Sequence, residues 1–385
     1  MNNRIGKYLV QKVTGEYYKA YIPPKLMPEL KINLNHIYPN LEKATHVLAQ
    51  LNSLTKSVPN PSLFIYMYVR KEALLSSQIE GTQSSFSDLI LFEHQQKTDI
   101  SLEDVEEVSN YVKALNHGLD RLKNGFPLSL RLLCEIHSIL LSGVRGSKKQ
   151  PGEFRRSQNW IGGTRPGNAI FVPPPVHDMI ECLSDFEKFL HNRNISVLIK
   201  AAISHVQFET IHPFLDGNGR LGRLLITLLL CDGGMIDEPI LYLSLFLKEN
   251  RTVYYQLLQQ VRTEGSWEVW LEFFLEGIFK SANQAITTIN SINELFAEDF
   301  KKISSLGRAR FSCIDTLEYL KRLPQISVPI LSKDLNISAP TARVSLNHLV
   351  KLKIIEEVTN KKRDKIYVYR NYLNILEDGT TPLID

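Results

Sequence analysis

A chain of 385 residues with 43% hydrophobic and 22% charged residues is too long for one ordinary core and too apolar to be disordered. Two or three folded domains are expected, and fibrous and unstructured classes are excluded. The net charge of +4 is uneven, because residues 301–375 carry 15 Lys/Arg against 6 Asp/Glu while residues 1–300 are nearly neutral.

The four cysteines (Cys134, Cys182, Cys231, Cys313) are scattered, which argues against a zinc cluster and for a reduced setting. The start is polar and no apolar run is long enough to span a bilayer, so a cytoplasmic protein without a membrane partner is expected.

In chain order, prolines at 23, 24, 28 and 39 make residues 1–60 read as loops and short helices. A helical pattern follows from Pro61 to about Glu93. Ser101 with Asp104 reads as the capping box of a helix running to Lys123, and Ser129 to Leu141 is a further amphipathic helix. Gly146 to Pro175 is rich in glycine and proline, which predicts a loop with a short β-hairpin turning near Arg165-Pro-Gly-Asn168. Helices are predicted over 176–190, 196–209, 219–231, 243–263 and 267–304. The fold class expected is mainly α.

The segment His212-Pro-Phe-Leu-Asp-Gly-Asn-Gly-Arg-Leu-Gly-Arg223 concentrates the chemistry. Gly217 and Gly219 around Asn218 let successive N–H groups converge on one anion, and the following helix adds its own N-terminal amides. Arg220 and Arg223, three apart, share a face and suit phosphate. Asp216 is a hard ligand for Mg²⁺ beside phosphate oxygens. His212 can take a proton near neutral pH. A base, a metal ligand and a phosphate cradle within twelve residues describe phosphoryl or nucleotidyl transfer.

This segment resembles the signature of the Fic (Fic/Doc) family, HPFxDGNGRxxR, without a departure. Gln150-Pro-Gly-Glu-Phe-Arg155, Gln158-Asn-Trp-Ile-Gly162 and Phe246-Leu-Lys-Glu-Asn-Arg251 resemble the family too, so the likeness covers roughly residues 60–280. It implies an all-α core and the transfer of AMP from ATP to a Ser, Thr or Tyr hydroxyl on a protein. His212 would be the base and Asp216 the Mg²⁺ ligand. Gly217, Asn218, Gly219, Arg220 and Arg223 would hold the phosphates, and Asn250 the nucleoside. Residues 159–173 would be a flap that docks the target as an added strand.

Doc-type kinases of the family carry Lys where this chain has Gly219, which favours AMP transfer over phosphate transfer. Ser76-Ser-Gln-Ile-Glu80-Gly81 resembles the family's inhibitory motif, so Glu80 is expected to pair with Arg223 and block the γ-phosphate. Two alternatives stay open: removal of AMP by the same site, and a DNA-binding regulator that uses the core as a nucleotide sensor.

Toward the end, Ile330–Ser338 and Ala339–Val350 read as two helices around a tight turn. Strands are predicted at 353–358 and 365–369 around the basic turn Asn360–Asp364. The pattern resembles a winged helix-turn-helix, in which Arg343, Asn347 and Lys362 would meet DNA. The domains expected are 1–125 (helical region with the inhibitory helix), 126–280 (Fic core), 281–308 (connecting helix), 309–375 (winged helix) and 376–385 (tail). The partners implied are ATP, Mg²⁺ and a protein target docked on the flap. The target can be the chain itself, DNA is an option for the C-terminal module, and a homodimer stays open.

Overall fold

The computed structural model describes residues 4–13, 16–26, 30–58, 60–93, 102–359 and 365–382. Its elements begin with a hairpin, β1 (Lys7–Val13) and β2 (Glu16–Ile22). Helices α1 (Tyr38–Ser57), α2 (Pro61–Ile79), α3 (Phe86–Glu93), α4 (Leu102–Lys123) and α5 (Leu130–Leu140) follow. The middle of the chain holds α6 (Val176–Leu190), α7 (Val197–Ile211), α8 (Asn218–Asp232), α9 (Ser244–Glu249), α10 (Arg251–Glu264) and α11 (Trp267–Ser304). The C-terminal part is α12 (Arg310–Arg322), β3 (Gln325–Ser327), α13 (Val328–Asp334), α14 (Ala339–Lys351), β4 (Glu356–Glu357), β5 (Ile366–Val368) and α15 (Arg370–Glu377).

The fold is mainly α, and α7 and α8 form its centre. Residues 201–211 of α7 and 221–230 of α8 are buried without interruption, as expected of helices apolar on every side. The two pack on each other, with α6 and α11 against α7, and α4 and α5 against α8. Trp270 of α11 is fully buried and its Nε1–H donates to the Ala202 carbonyl at 2.9 Å, which ties α11 to α7. α11 has 38 residues, a rod of about 57 Å, and runs unbroken across residue 280. The connecting segment is therefore its second half. The boundary expected at 375 falls inside α15.

The first 60 residues differ from expectation. Lys7–Val13 and Glu16–Ile22 pair in antiparallel register from Lys7↔Ile22 to Val13↔Glu16. Their tyrosines and branched residues suit a pleated surface, a signal that the nearby prolines obscured. The predicted hairpin at 159–173 is correspondingly reduced. It keeps a single bridge, Ile161↔Phe171, around a short 3-10 turn at 166–168. Gly162 and Gly163 sit at φ 67° and 73°, and Pro173–Pro175 donate no hydrogen bonds, so a ladder cannot continue. The segment leans on β2 instead, where the Tyr21 N–H donates to the Val172 carbonyl at 2.9 Å.

The predicted helix 61–93 is broken between α2 and α3, where Gly81 takes φ 98°. The helix predicted over 243–263 is likewise two helices meeting at Asn250. In the C-terminal part, β3, β5 and β4 form an antiparallel sheet in that order behind the α13–turn–α14 pair, and Ser338 caps α14. Ser101 and the basic turn with Lys362 lie outside the described residues. Among the described residues, no helix is long and apolar enough to cross a membrane.

Candidate active site

The loop between α7 and α8 is folded by its own side chains. His212 closes α7 in the left-handed region (φ 49°, ψ 60°), and Gly217 opens α8 at φ 75°. Asn218 is buried and clasps the turn, its Nδ2–H donating to the Phe214 carbonyl and its Oδ1 accepting the Phe214 N–H, both at 2.9 Å. That use differs from the phosphate- or metal-facing side chain expected.

Two residues to which the sequence reading assigned no role hold the loop from outside. The buried His137 donates from Nε2 to the Asp216 carbonyl at 2.9 Å and accepts the Gly152 N–H on Nδ1 at 2.8 Å, while its ring stacks on Phe214. The buried Arg155 donates to the His212, Ser157 and Pro174 carbonyls at 3.0, 3.2 and 2.5 Å, and so ties the backbone at residue 212 to both ends of the 158–173 segment. Arg155 lay within a motif segment. His137 carried no local signal.

His212 itself is partly covered. Its Nδ1–H donates weakly to the Glu209 carbonyl at 3.4 Å, and its Nε2 has no hydrogen-bond partner among the described residues. Burial pulls its pKa down to about 4, with Arg262 and Arg155 adding to the effect, so the ring is neutral near pH 7 with a free lone pair. Glu209 behind it is pushed up to about 7 by burial, which Arg223 partly offsets.

His205 of α7 is structural, bonded through Nε2 to the Tyr254 hydroxyl at 2.8 Å and lowered to about 3 by burial. His137 is lowered to about 4 by the same cause. These histidines are neutral when folded and take up a proton on unfolding below about 6.5. Stability is therefore full above that pH and falls as pH drops from 6.5 toward 4. Thermal melts at pH 7 and pH 5 should give a lower Tm at pH 5, and equal values would contradict these assignments.

At the start of α8 the N–H groups of Asn218, Gly219 and Arg220 have no backbone partners, as the first turn of a helix requires. They form one wall of a cradle. Asp216 stands at its rim, its Oδ1 accepting the Gly217 N–H at 2.6 Å and its Oδ2 without a hydrogen-bond partner among the described residues.

Arg220 differs from expectation. It is 1% exposed and ion-paired with the buried Glu107 of α4, with Asp216 at 3.6 Å, so its guanidinium turns inward rather than into the cradle. Glu107 carried no sequence signal. Arg223 meets the last turn of α2. Its Nε donates to Ser76 Oγ at 2.9 Å, and its Nη2 donates to the Ser76 carbonyl at 2.9 Å and to Glu80 Oε1 at 2.7 Å.

The Glu80 carboxylate lies directly over the cradle, so close that a Cβ at Gly219 would sit 2.2 Å from Oε1. Burial works to raise the Glu80 pKa, but Arg223, supported by Arg220 and His212, outweighs it and holds the group below its usual range. The structure thus gathers Ser76, Glu80, His212, Asp216, Gly217, Gly219 and Arg223. Asn250 caps the junction of α9 and α10, and its Nδ2–H returns to the Phe246 carbonyl at 2.9 Å. Arg343 and Asn347 are exposed on α14 in the C-terminal part.

Residues 38–120 match the Fic/DOC family N-terminal profile and residues 127–230 the Fic/DOC family profile. A protein adenylyltransferase Fic of Aedes aegypti is 35% identical over 157 residues, 40% of this chain and 28% of its own. One of Drosophila erecta is 28% identical over 179 residues, 46% of this chain and 33% of its own. The chain thus spans about a third of the length of these curated relatives. A Fic family protein from Desulfovibrio desulfuricans G20 superposes with a TM-score of 0.59 at 19% identity, covering 89% of this chain and 98% of that one. A Fic domain containing signaling protein from Bacteroides thetaiotaomicron VPI-5482 superposes at 0.51 and 18%, covering 63% and 97%. At such identities the likeness bears on the fold.

Proposed function

We propose, from the match of residues 38–120 and 127–230 to the Fic/DOC family profiles, that the protein transfers AMP from ATP to a Ser, Thr or Tyr hydroxyl of a protein. The observation that carries the reading is the pairing of a neutral His212, its Nε2 open, with the amide cradle of residues 218–220. The target oxygen attacks the α-phosphorus, its proton passes to His212 Nε2, and the bond from phosphorus to the pyrophosphate oxygen breaks. Charge growing on the α-phosphate in that step is met by N–H groups already aimed at it. Arg223 is the cation for the outer phosphates.

The rim position and unpartnered Oδ2 of Asp216 fit Mg²⁺, which takes one or two carboxylates together with phosphate oxygens and waters. Such an ion would supply charge neutralisation to the phosphates. Asp216→Ala should therefore abolish the Mg²⁺ dependence of ATP binding and lower AMP transfer at least tenfold. Titration of ATP with and without Mg²⁺ checks this, and indifference to both changes would remove the metal role.

Labelled ATP tests the reaction class. α-Labelled ATP should mark protein and γ-labelled ATP should not, and marking from the γ position alone would mean phosphate transfer. The flap segment, bridged at Ile161 and Phe171, is the surface for an extended target segment.

A second reading is supported by Glu80, whose Oε2 has no hydrogen-bond partner among the described residues while its Oε1 sits on Arg223. That free oxygen can orient a water toward a phosphodiester and so remove AMP. Release of AMP from a premodified target by the unaltered chain would favour this reading over transfer.

We read residues 309–375 as a winged helix. Thr341, Arg343, Val344 and Asn347 are exposed along α14, and the segment's charge is basic. Duplex DNA and a protein surface are both open as partners of this face, and binding to DNA should weaken steeply as salt rises, with no duplex binding at low salt pointing to protein contact.

A further inference from the structure

The last turn of α2 is gripped on two sides. Ser76 and Glu80, four apart, share the face that meets Arg223. Gln78, two residues from each, points the other way and is buried. Its Nε2 donates to the Ser84 carbonyl at 3.0 Å and to the Thr380 carbonyl at 2.7 Å, and its Oε1 accepts from Lys248 Nζ at 2.7 Å. Lys248, on α9 and 5% exposed, completes its set by donating to the Gly379 carbonyl at 3.2 Å and to the Thr381 carbonyl. Two buried side chains thus read three consecutive main-chain carbonyls of the C-terminal segment. Gly379 lies flat on Leu245: a Cβ there would come within 2.7 Å of Leu245 Cδ1, and its φ is +75°.

We propose that the cleft between Gln78 and Lys248 is a peptide-binding site that reads the backbone of an extended segment. Its ligand is this chain's own residues 379–381, and their seating holds the end of α2 in the register that sets Glu80 on Arg223. What Glu80 does to catalysis rests on the function proposed above. The existence of the cleft does not.

An ammonium group has three protons to place, and burial without acceptors costs more than any single bond gains. Lys248 finds all its acceptors in Gln78 and the tail, so helix and tail bind as one unit. The route back to the C-terminal module is short and packed. β5 leads into Tyr369, whose hydroxyl donates to the buried Asp299 at 2.6 Å, and Leu373 and Leu376 bury α15, which packs against α3 and α11.

Reading by backbone predicts an uneven response to substitution. Thr381→Val keeps the carbonyl and should be neutral. Gly379→Val adds bulk against Leu245 at a positive φ and should eject the tail. Lys248→Met keeps the length and removes the donor. Hydrogen exchange of the full chain, followed by mass spectrometry, reads residues 76–84 directly.

Lys248→Met and Gly379→Val should each speed exchange in residues 76–84 at least tenfold, with residues 197–211 still protected and Thr381→Val as the parent. Parental exchange in both variants overturns the site. AMP labelling by the same two variants should move toward that of Glu80→Gly. Faster exchange with parental labelling, where Glu80→Gly does label, overturns the link between tail and Glu80. Should Glu80→Gly also stay silent, the failure lies with the proposed function, and exchange alone decides the cleft.

Discussion

Glu80→Gly should raise labelling of target protein by α-labelled ATP at least tenfold over the parent chain, a change of about 1.4 kcal/mol in barrier. In the parent, the carboxylate sits 2.7 Å from Arg223 and over Gly219, where outer phosphates need both the cation and the amides. On the function proposed, ATP entering beside it would meet a like charge and settle with its phosphates out of line for attack. Removing the side chain leaves Arg223 in place, because Ser76 Oγ and the Ser76 carbonyl still accept from it. The backbone at residue 80 tolerates glycine without rearrangement, being the cap of α2 at φ −89° and ψ 5°.

The same substitution should lower stability at neutral pH. A carboxyl whose pKa is held down by its partner stabilises the fold above the usual carboxylate range and loses that contribution as pH falls through its folded value. More activity with a lower Tm at pH 7, the Tm gap closing in acid, is the paired outcome expected. Arg223→Ala should lose labelling in both backgrounds, since it removes the phosphate's cation along with the inhibitor's anchor. Unchanged or reduced labelling by Glu80→Gly would remove the obstruction argument and favour the water-directing reading.

The loop from His212 to Arg223 was legible because its chemistry is local. A helix end, two glycines and a first helical turn fix where the backbone amides, His212 and Asp216 stand, while Asn218 and Arg220 turn to partners that the segment does not announce. Contacts made at a distance left less trace. Glu80 and Arg223, 143 residues apart, could be paired only because the resemblance supplied both ends. Glu107 and Arg220 are 113 apart, and Gln78 and Thr380 are 302 apart, with nothing in either neighbourhood to signal the partner.

Buried polar side chains escape sequence reading for the same reason. Asn218 looks like a ligand-binding residue until the structure shows its side chain bonded to loop backbone, and nothing near His137 in the sequence announces that it too holds that loop. The N-terminal hairpin was hidden by prolines that follow it rather than interrupt it. The flap's residual bridge shows the reverse, a turn signal too rich in glycine and proline to sustain strands.

His212→Ala, made in the Glu80→Gly background so that activity is measurable, should lower AMP transfer by about 10² to 10⁴-fold and leave ATP binding nearly unchanged. The cradle amides and Arg223 do not depend on the imidazole, whereas the attacking hydroxyl would lose the open Nε2 acceptor beside the loop. Burial gives the assignment a pH signature. With its pKa near 4, His212 is the free base above that value, so the rate should hold steady from pH 8 through 6.5 and fall only as pH drops toward 4. An exposed imidazole would already have lost half its base form near 6.5. A single-turnover profile, run with saturating ATP to keep binding constant, separates the two. A midpoint near 6.5 would mean that His212 works from an open, solvated position in the active state. Parental turnover by His212→Ala would mean that the proton leaves by another route, and the base would have to be sought at Glu209, which burial lifts to about 7 just behind the loop.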